Sequence, residues 1–351
     1  MADTTEGMIR GALLRCVSIV MAEWMGCRKR TGWASALIFG LSTLHSSVAC
    51  AAQVWTYTTA INNVGTIAGY WTDSISDHGF IYDHGKFLDL VDTSGGSQLQ
   101  PDAINNNGVV AGTMFGGSEG FRGFTFDAGN LAVVSIGSDF TTVYGLNDQG
   151  WLVGVYGDIS GGSEGYLDVA GTITDIAVPG SLYTRPLSVN DVGTVAGFYV
   201  DANGPHGFLL NGGTYEVVDH PGAANYTMIT GINNLGEAVG SYLQPGGGYH
   251  AFSYLNGSFS SADDPAAQET DPLGINDNGE ITGIVLGGTN RQGYVDVGGQ
   301  FTTIDYARGV GVPEPATWSI TVLAVALVGA VLRRRTKIDS PALSDVRRSR
   351  S

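Results

Sequence analysis

The middle of the chain is built from short runs of β-branched and aromatic residues separated by glycine-rich polar turns. Typical runs are Val109 to Ala111, Thr194 to Ala196 and Tyr215 to Val218. Runs of this length and composition predict strands joined by tight turns, and no 3.6-residue apolar periodicity interrupts them. The pattern therefore predicts an all-β body.

A five-residue motif repeats through this body: an apolar residue, Asn, then Asn or Asp, any residue, and Gly. Its six copies begin at Ile61, Ile104, Leu146, Val189, Ile232 and Ile275, so that successive copies start 42 or 43 residues apart. Asn and Asp tolerate left-handed backbone and bond to nearby amides, while Gly supplies a positive φ, so the motif predicts a tight hairpin turn. We interpret its repetition as a folding requirement rather than a ligand site.

Each copy of the motif is followed by the same landmarks. A second glycine comes four residues after the first, and an aromatic residue preceded by a small one follows, at Phe80, Phe124, Tyr166, Phe208, Phe252 and Tyr294. A glycine turn and another β-prone stretch complete the unit. Four strands in a unit of this length match one β-propeller blade, so the six repeats predict a six-bladed β-propeller over residues 53–308.

The ends of this propeller are expected in strands over Val54–Ala60 and Phe301–Tyr306. The sequence leaves open whether the last strand closes the ring by completing a blade. An open β-stack or a β-prism is the alternative architecture.

The repeat resembles the HAF-type extracellular repeats, whose pattern joins His-Ala-Phe to a following Ile-Asn-x-x-Gly. His250-Ala251-Phe252 matches outright, and His78 and His206 begin matches with glycine in place of alanine. The other three units carry Arg122, Glu164 and Gln292 at the histidine position. The resemblance covers nearly the whole body and implies export and a propeller, but it carries no established activity.

The first 52 residues have the composition of a secretory signal peptide. Arg28-Lys29-Arg30 is followed by an apolar run from Trp33 to Leu41 and then by small residues ending at Ala52. The stretch is longer than a signal needs, so translation is expected to begin at Met21 or Met25. A buried helix and a lipoprotein modified at Cys50 are the alternatives.

The other end of the chain predicts a transmembrane helix. After a linker of residues 309–315, an uncharged apolar run begins at Ala316 and stops at a basic cluster, Arg333, Arg334 and Arg335, so we assign residues 316–335 to the helix and its basic stop. By the positive-inside tendency, the arginines and the tail of residues 336–351 are expected to be cytoplasmic. The propeller would then lie on the far side of the membrane.

The linker and helix together resemble the PEP-CTERM sorting signal, through Val312-Pro313-Glu314-Pro315, the apolar helix and the arginines. Two prolines keep the motif extended, as a protease substrate must be. The resemblance implies recognition by an exosortase in a Gram-negative-type bacterium, followed by delivery to the cell surface or the extracellular space. The sixteen residues beyond Arg335 depart from the family, whose signals end soon after the basic cluster. A plain single-pass anchor is the alternative.

Charge and cysteine content narrow the classes of function. Gln53–Gly311 holds 27 acidic and five basic residues, a net charge of −22, which would repel a phosphate backbone and argues against nucleic-acid binding. All three cysteines lie before residue 53, so neither disulfides nor thiol chemistry is expected in the propeller.

Equivalent repeat positions would form a circle, which brings His78, Arg122, Glu164, His206, His250 and Gln292 into one layer. Blades one and four lie opposite each other, too far apart for zinc, so these histidines are expected to bond to backbone between blades. No metal or other cofactor is predicted, although acidic loops such as Asp263-Asp264, Asp201 to Gly204 and Asp277-Asn278 offer oxygen ligands for calcium.

The body carries no recognisable catalytic motif: it has no Gly-x-Ser-x-Gly, no His-Glu-x-x-His and no phosphate-binding lysine loop. We therefore predict an exported, non-catalytic binding protein of the cell surface or extracellular matrix. Its expected partners are an exosortase, the secretion machinery and an exopolysaccharide or another envelope component. A carbohydrate-active propeller, either a lectin or a polysaccharide hydrolase or lyase, is the alternative.

Overall fold

A computed structural model describes residues 54–306, except 74–75, 94–95, 117–119, 138, 159–161 and 288–289. The described residues form 24 strands in six antiparallel sheets, and each sheet takes four consecutive strands from one repeat. The chain is thus a six-bladed β-propeller, as the repeat predicted. The predicted signal peptide, sorting motif, transmembrane helix and tail lie outside the described residues.

The blades follow one another in chain order. Blade 1 comprises β1 (Trp55–Ile61), β2 (Ile67–Thr72), β3 (Asp77–Asp83) and β4 (Lys86–Asp89); blade 2 comprises β5 (Gln98–Ile104), β6 (Val110–Phe115), β7 (Phe121–Asp127) and β8 (Asn130–Val134); blade 3 comprises β9 (Phe140–Leu146), β10 (Leu152–Gly157), β11 (Ser163–Val169) and β12 (Thr172–Ile176). Blade 4 comprises β13 (Tyr183–Val189), β14 (Val195–Val200), β15 (Pro205–Asn211) and β16 (Thr214–Val218); blade 5 comprises β17 (Thr227–Ile232), β18 (Ala238–Leu243), β19 (Tyr249–Leu255) and β20 (Ser258–Ser261); blade 6 comprises β21 (Glu269–Ile275), β22 (Ile281–Gly287), β23 (Asn290–Val297) and β24 (Gln300–Ile304).

The first strand of every blade lies innermost, because these six strands contact one another around the ring. Consecutive strands are antiparallel, so the turns from first to second strand and from third to fourth strand lie on one face of the ring. We call this the turn face. The loops from second to third strand and the linkers between blades lie on the opposite face, the linker face.

The two glycines of each repeat have different structural roles. The first, such as Gly150 with φ of 80°, closes the turn in a left-handed conformation and has open space around it. The second, such as Gly154, lies opposite a register shift in the innermost strand, where an added Cβ would stand 2.0 Å from the carbonyl oxygen of Thr142. Any larger residue there would push the two innermost strands of the blade apart.

The hydrophobic core lies between blades. All six repeat aromatics, from Phe80 to Tyr294, are fully buried, and six apolar clusters each combine residues of two consecutive blades. The small residue before each aromatic leaves room for the next blade, since an added Cβ at Gly123 would stand 2.7 Å from Val143 of β9. A blade therefore gains its core only by packing against its neighbours.

The ring closes without exchanging a strand between blades 6 and 1. Thr58 of β1 donates its hydroxyl to the carbonyl of Gly283 in β22 at 2.6 Å. Beyond β24, the backbone N–H of Tyr306 donates to Thr56 Oγ1 at 3.0 Å, and the Tyr306 ring stacks on Trp71 at 4.7 Å. The linker from blade 3 to blade 4 makes the same bond, from Val178 N–H to Thr184 Oγ1. The end of the propeller thus joins blade 1 as a linker joins consecutive blades.

The described part of the chain contains no helix with the length and apolar composition needed to cross a bilayer. The predicted terminal strands agree closely with β1 and with β24, which ends two residues before Tyr306.

Candidate functional site

The turn face carries a cavity on the ring axis, with about 370 Å³ of empty space that includes its opening to solvent. Its walls consist of three residues from each blade: the apolar residue, the Asn, and the Asn or Asp of the repeated motif. The cavity is therefore lined by the positions that the repeat keeps constant.

The first Asn of the motif links each blade to the next. Its Nδ2 donates to the backbone carbonyl of the equivalent Asn one blade further on, at 2.9–3.2 Å, in a closed circle of six bonds: Asn62, Asn105, Asn147, Asn190, Asn233, Asn276 and back to Asn62. Its Oδ1 accepts the backbone N–H four residues later, at 2.8–3.0 Å. One buried amide thus stabilises both its own turn and the contact between blades.

The second residue of the motif forms a parallel circle. Its backbone N–H donates to the side-chain Oδ1 of the equivalent residue in the next blade at 2.7–2.8 Å, through Asn63, Asn106, Asp148, Asp191, Asn234 and Asp277. This role accepts Asn or Asp, because only an oxygen acceptor is needed. The sequence predicted the turn correctly but gave no indication of these bonds between blades.

The three carboxylates of this circle already have protein donors on their second oxygens. Asp148 accepts from Asn106 at 2.8 Å, Asp191 from Asn234 at 2.9 Å, and Asp277 from Asn63 at 2.7 Å. The polar groups of the cavity are thus used to assemble the ring. The turn-face cavity therefore has a structural role.

The predicted layer of histidines exists, but the predicted backbone partners were wrong. His206 Nδ1 lies 2.8 Å from Asp219 Oδ2, and His250 Nδ1 lies 2.9 Å from Asp263 Oδ2. His78 stacks on Trp71 with ring centroids 4.0 Å apart. Carboxylates one strand away were available as stronger acceptors than a carbonyl, since an ionised acceptor roughly doubles the strength of a hydrogen bond.

The other members of this layer differ in their partners. Arg122 donates to the backbone carbonyl of Asp139, as the prediction expected for the histidines, whereas Gln292 Nε2 lies 3.4 Å from Asp305 Oδ2. Members of this layer therefore contact the linkers through different kinds of hydrogen bond in different blades.

Within residues 54–306, apart from the gaps stated above, no three His, Cys, Asp or Glu side chains converge on a point where a metal ion could be held. The acidic loops considered for calcium bond to protein instead. Asp201 Oδ1 accepts the backbone N–H of Asn203 at 2.6 Å, which lowers the pKa of Asp201, and Asp263 accepts the N–H of Ala251 at 2.7 Å.

The innermost strands contain positions at which the residue type differs from one repeat to the next. Along β5, β9 and β21, partly exposed residues alternate with buried ones. The buried positions are nearly constant, with Thr at the second place of most innermost strands. At the linker-face end, two positions differ from blade to blade: Trp55, Gln98, Phe140, Tyr183, Tyr226 and Glu269 at the first, and Tyr57, Gln100, Thr142, Arg185, Met228 and Asp271 at the second. We call these twelve residues the variable inner positions.

Several of these side chains contact the preceding blade. Gln100 Nε2 donates to Asp77 Oδ2 at 2.6 Å, and Arg185 Nη1 lies 3.4 Å from the Tyr144 hydroxyl. Tyr57 differs, because it stacks on Tyr70 of its own blade, with centroids 4.7 Å apart. Aromatic rings, amides and charged groups are therefore all present on the innermost strands at the linker-face end. Comparing the six copies position by position would have found this set from sequence, because these positions vary where their neighbours repeat.

Two carboxyls on innermost strands have raised pKa values. Asp102 is partly exposed as a residue, yet its carboxyl lies deep enough that burial raises its pKa to about 8, against a smaller lowering by a hydrogen bond with Thr113. Burial also raises the pKa of Asp271 to about 6, opposed by a hydrogen bond with Ser241. Both pKa shifts indicate poorly solvated surroundings near the axis.

No protein-family model matches the sequence, and no curated protein matches it. Among solved structures, a mutant of AofleA from Arthrobotrys oligospora is 12% identical with a TM-score of 0.49, over 72% of this chain and 87% of that one. Aleuria aurantia lectin in complex with a fucosylated GlcNAc is 12% identical with a TM-score of 0.47, over 76% and 98%. The β-propeller domain of the Trilobed protease from Pyrococcus furiosus is 10% identical with a TM-score of 0.44, over 74% and 100%.

At these identities and TM-scores, the binding properties of this chain have to be argued from its own residues. The HAF and PEP-CTERM resemblances likewise stay predictions.

We expect Asn190→Asp to destabilise the propeller by about 3 kcal/mol, because a carboxylate would replace the buried amide that donates to Asn233 O at 3.0 Å. The oxygen that accepts from Thr194 N–H is retained. Urea unfolding followed by tryptophan fluorescence measures the change. The control is Asn211→Asp, the same chemical change in an exposed turn, and equal losses in both variants would contradict the structural role of the amide circle.

We expect Asp102→Asn to change the pH dependence of stability. The folded state keeps a proton on Asp102 that the unfolded state releases above pH 4, so this group lowers stability progressively as pH rises from about 4 to 8. The variant has no carboxyl at this position, so its stability does not fall in this way. The unfolding free energy of the variant minus that of wild type should therefore rise between pH 4 and 8. Parallel curves for the two proteins would contradict the raised pKa; the exposed Asp127→Asn serves as control.

Proposed function

We propose that this protein is exported, sorted by an exosortase and used at the cell surface or in the extracellular matrix as a non-catalytic binding propeller. The observation that carries the binding role is the contrast between the two ends of the ring axis. At the turn face the motif is the same in every blade, whereas the variable inner positions carry a different set of side chains in each blade. A repeat protein needs its constant positions to fold, so the positions that vary are available for recognition.

The composition of the variable inner positions favours a saccharide as the ligand. Trp55, Phe140, Tyr183 and Tyr226 supply aromatic rings. Gln98 and Gln100 supply amides, each of which has one atom bonded to Asp77 and the other available. Ligand sites combine apolar and aromatic walls with a few polar groups that set orientation, and such a combination suits the alternating apolar faces and hydroxyls of a sugar. An exopolysaccharide of the envelope is therefore the proposed partner.

The export and sorting part of the proposal rests on sequence. The basic, apolar and small-residue zones of residues 1–52 support secretion, and the HAF-type repeat supports an extracellular destination. Val312-Pro313-Glu314-Pro315, the apolar run and Arg333 to Arg335 support recognition by an exosortase. Since the ring is already closed at Tyr306, removal of the tail would leave every blade complete.

A carbohydrate-active enzyme is the second candidate, and Asp102 is the observation that favours it. A carboxyl with a pKa near 8 stays protonated at neutral pH, as a general acid in glycoside cleavage must be. The partner carboxylate would have to come from another innermost strand.

Substitution of both prolines in the sorting motif, Pro313→Ala with Pro315→Ala, should leave the precursor in the membrane. The prolines keep the segment extended for the protease, and alanines would let it join the following helix. Fractionation of the producing cells with an antibody to the propeller measures the distribution. Pro101→Ala together with Pro272→Ala, in the propeller, is the matched control for proline loss. Release unchanged by the motif substitutions would contradict exosortase sorting, and wild-type precursor in the cytoplasm would contradict export.

Binding is tested with a glycan array, and catalysis with a reducing-sugar assay on the polysaccharides that bind. We expect retention of specific saccharides with no release of new reducing ends. Release of reducing ends that is lost in Asp102→Asn would favour the enzyme instead. No binding and no cleavage would remove saccharides as the ligand class.

A further inference from the structure

Arg185 stands out among the variable inner positions because few protein groups contact its guanidinium. It is partly buried in β13, its Nη1 lies 3.4 Å from the Tyr144 hydroxyl, and its guanidinium carbon lies 5.8 Å from the centre of the Tyr183 ring. No carboxylate of the described residues lies within 4.0 Å of it, since the ion pairs of this part of the chain all involve histidine. A guanidinium has five N–H donors, so most of its donors have no strong acceptor from the protein.

The other cations of the described residues are placed differently. Arg122 donates to two backbone carbonyls, those of Phe121 and Asp139. Arg291 lies close enough to Asp271 to lower its pKa, and Lys86 is exposed at the β3–β4 turn. A protein with 27 acidic residues in this region could readily have paired Arg185 as well. An arginine on an innermost strand without a carboxylate partner has donors available to an acceptor that comes from outside.

The neighbours of Arg185 suit an anionic group carried on a sugar ring. The equivalent positions in the other blades hold Tyr, Gln, Thr, Met and Asp, so the arginine is not required by the repeat. The Tyr144 hydroxyl and the Tyr183 ring both lie beside the guanidinium. A planar guanidinium fork matches a carboxylate in two parallel hydrogen bonds. The strong negative charge of the body favours a ligand with isolated single charges over a polyanion.

We propose that Arg185, with Tyr144 and Tyr183, forms a subsite for the carboxylate of a uronic acid residue in an acidic saccharide. This inference rests on the proposed saccharide-binding function and names the class of sugar. The carboxylate binds the guanidinium, and the sugar ring packs against the tyrosines.

The test is calorimetric titration of the full-length chain with a neutral oligosaccharide that carries one uronic acid residue and with the same oligosaccharide methyl-esterified at that carboxyl. We expect the esterified oligomer to bind at least about tenfold more weakly, since it loses a hydrogen-bonded charge pair. Arg185→Met should weaken binding of the acidic oligomer to a similar degree and leave binding of the ester unchanged. Arg185→Lys should recover part of the affinity, because it keeps the charge but not the fork.

Lys86→Met is the matched control, because it removes the same charge at an exposed turn and should bind like wild type. Equal affinity for acid and ester would overturn the subsite while leaving saccharide binding intact. A sulfated neutral oligomer that binds as tightly as the uronate would overturn the preference for a carboxylate. Failure of every oligomer to bind, while the array also stays empty, would overturn the proposed ligand class along with the subsite. The acid and ester comparison needs no variant, so it decides the proposal even if Arg185→Met fails to fold.

Discussion

The circle of buried asparagine amides on the turn face is the constraint on which the rest of the structure depends. Each blade is complete within its own repeat, so no shared strand joins the ends of the chain. The blades are held by apolar packing and by six amide-to-carbonyl bonds, the last of which runs from Asn276 to Asn62. An asparagine can do this because its oxygen binds its own turn while its nitrogen reaches the next blade. An aspartate would keep the first bond and lose the second.

The two faces of the ring therefore have different roles. The turn face holds the blades together, whereas residues at the linker face can differ from blade to blade. At the turn face, a bonding pattern repeated in all six blades leaves little room for change. At the linker face, most innermost strands share a threonine that accepts a backbone N–H from the segment leading in from the neighbouring blade, whereas the variable inner positions on either side of it have different contacts in each blade. Recognition can be placed at these variable positions, because the contacts that the blades share are made by other residues.

Charge adds a second constraint on what the linker-face end can bind. The acidic body disfavours polyanions at long range, whereas Arg185 has no carboxylate partner among the described residues and favours one anionic group at short range. Burial near the axis raises the pKa of Asp102 and Asp271, so these carboxyls add less negative charge at neutral pH than their number implies. A ligand with isolated single charges on an otherwise neutral sugar chain satisfies both conditions.

The sequence by itself determined the number of blades, the four strands of each and the turns between them. These features depend on contacts within about 40 residues, and the period of Asn, Gly and aromatic residues records them directly. The tertiary structure alone decided which atoms of Asn147 or Asp148 reach the neighbouring blade, that the histidines of the repeat pair with carboxylates, and how Tyr306 closes the ring. It also brought Arg185 beside Tyr144, which lies 41 residues away and in a different blade. Such contacts depend on the packing angle between blades, which no local pattern of residues encodes.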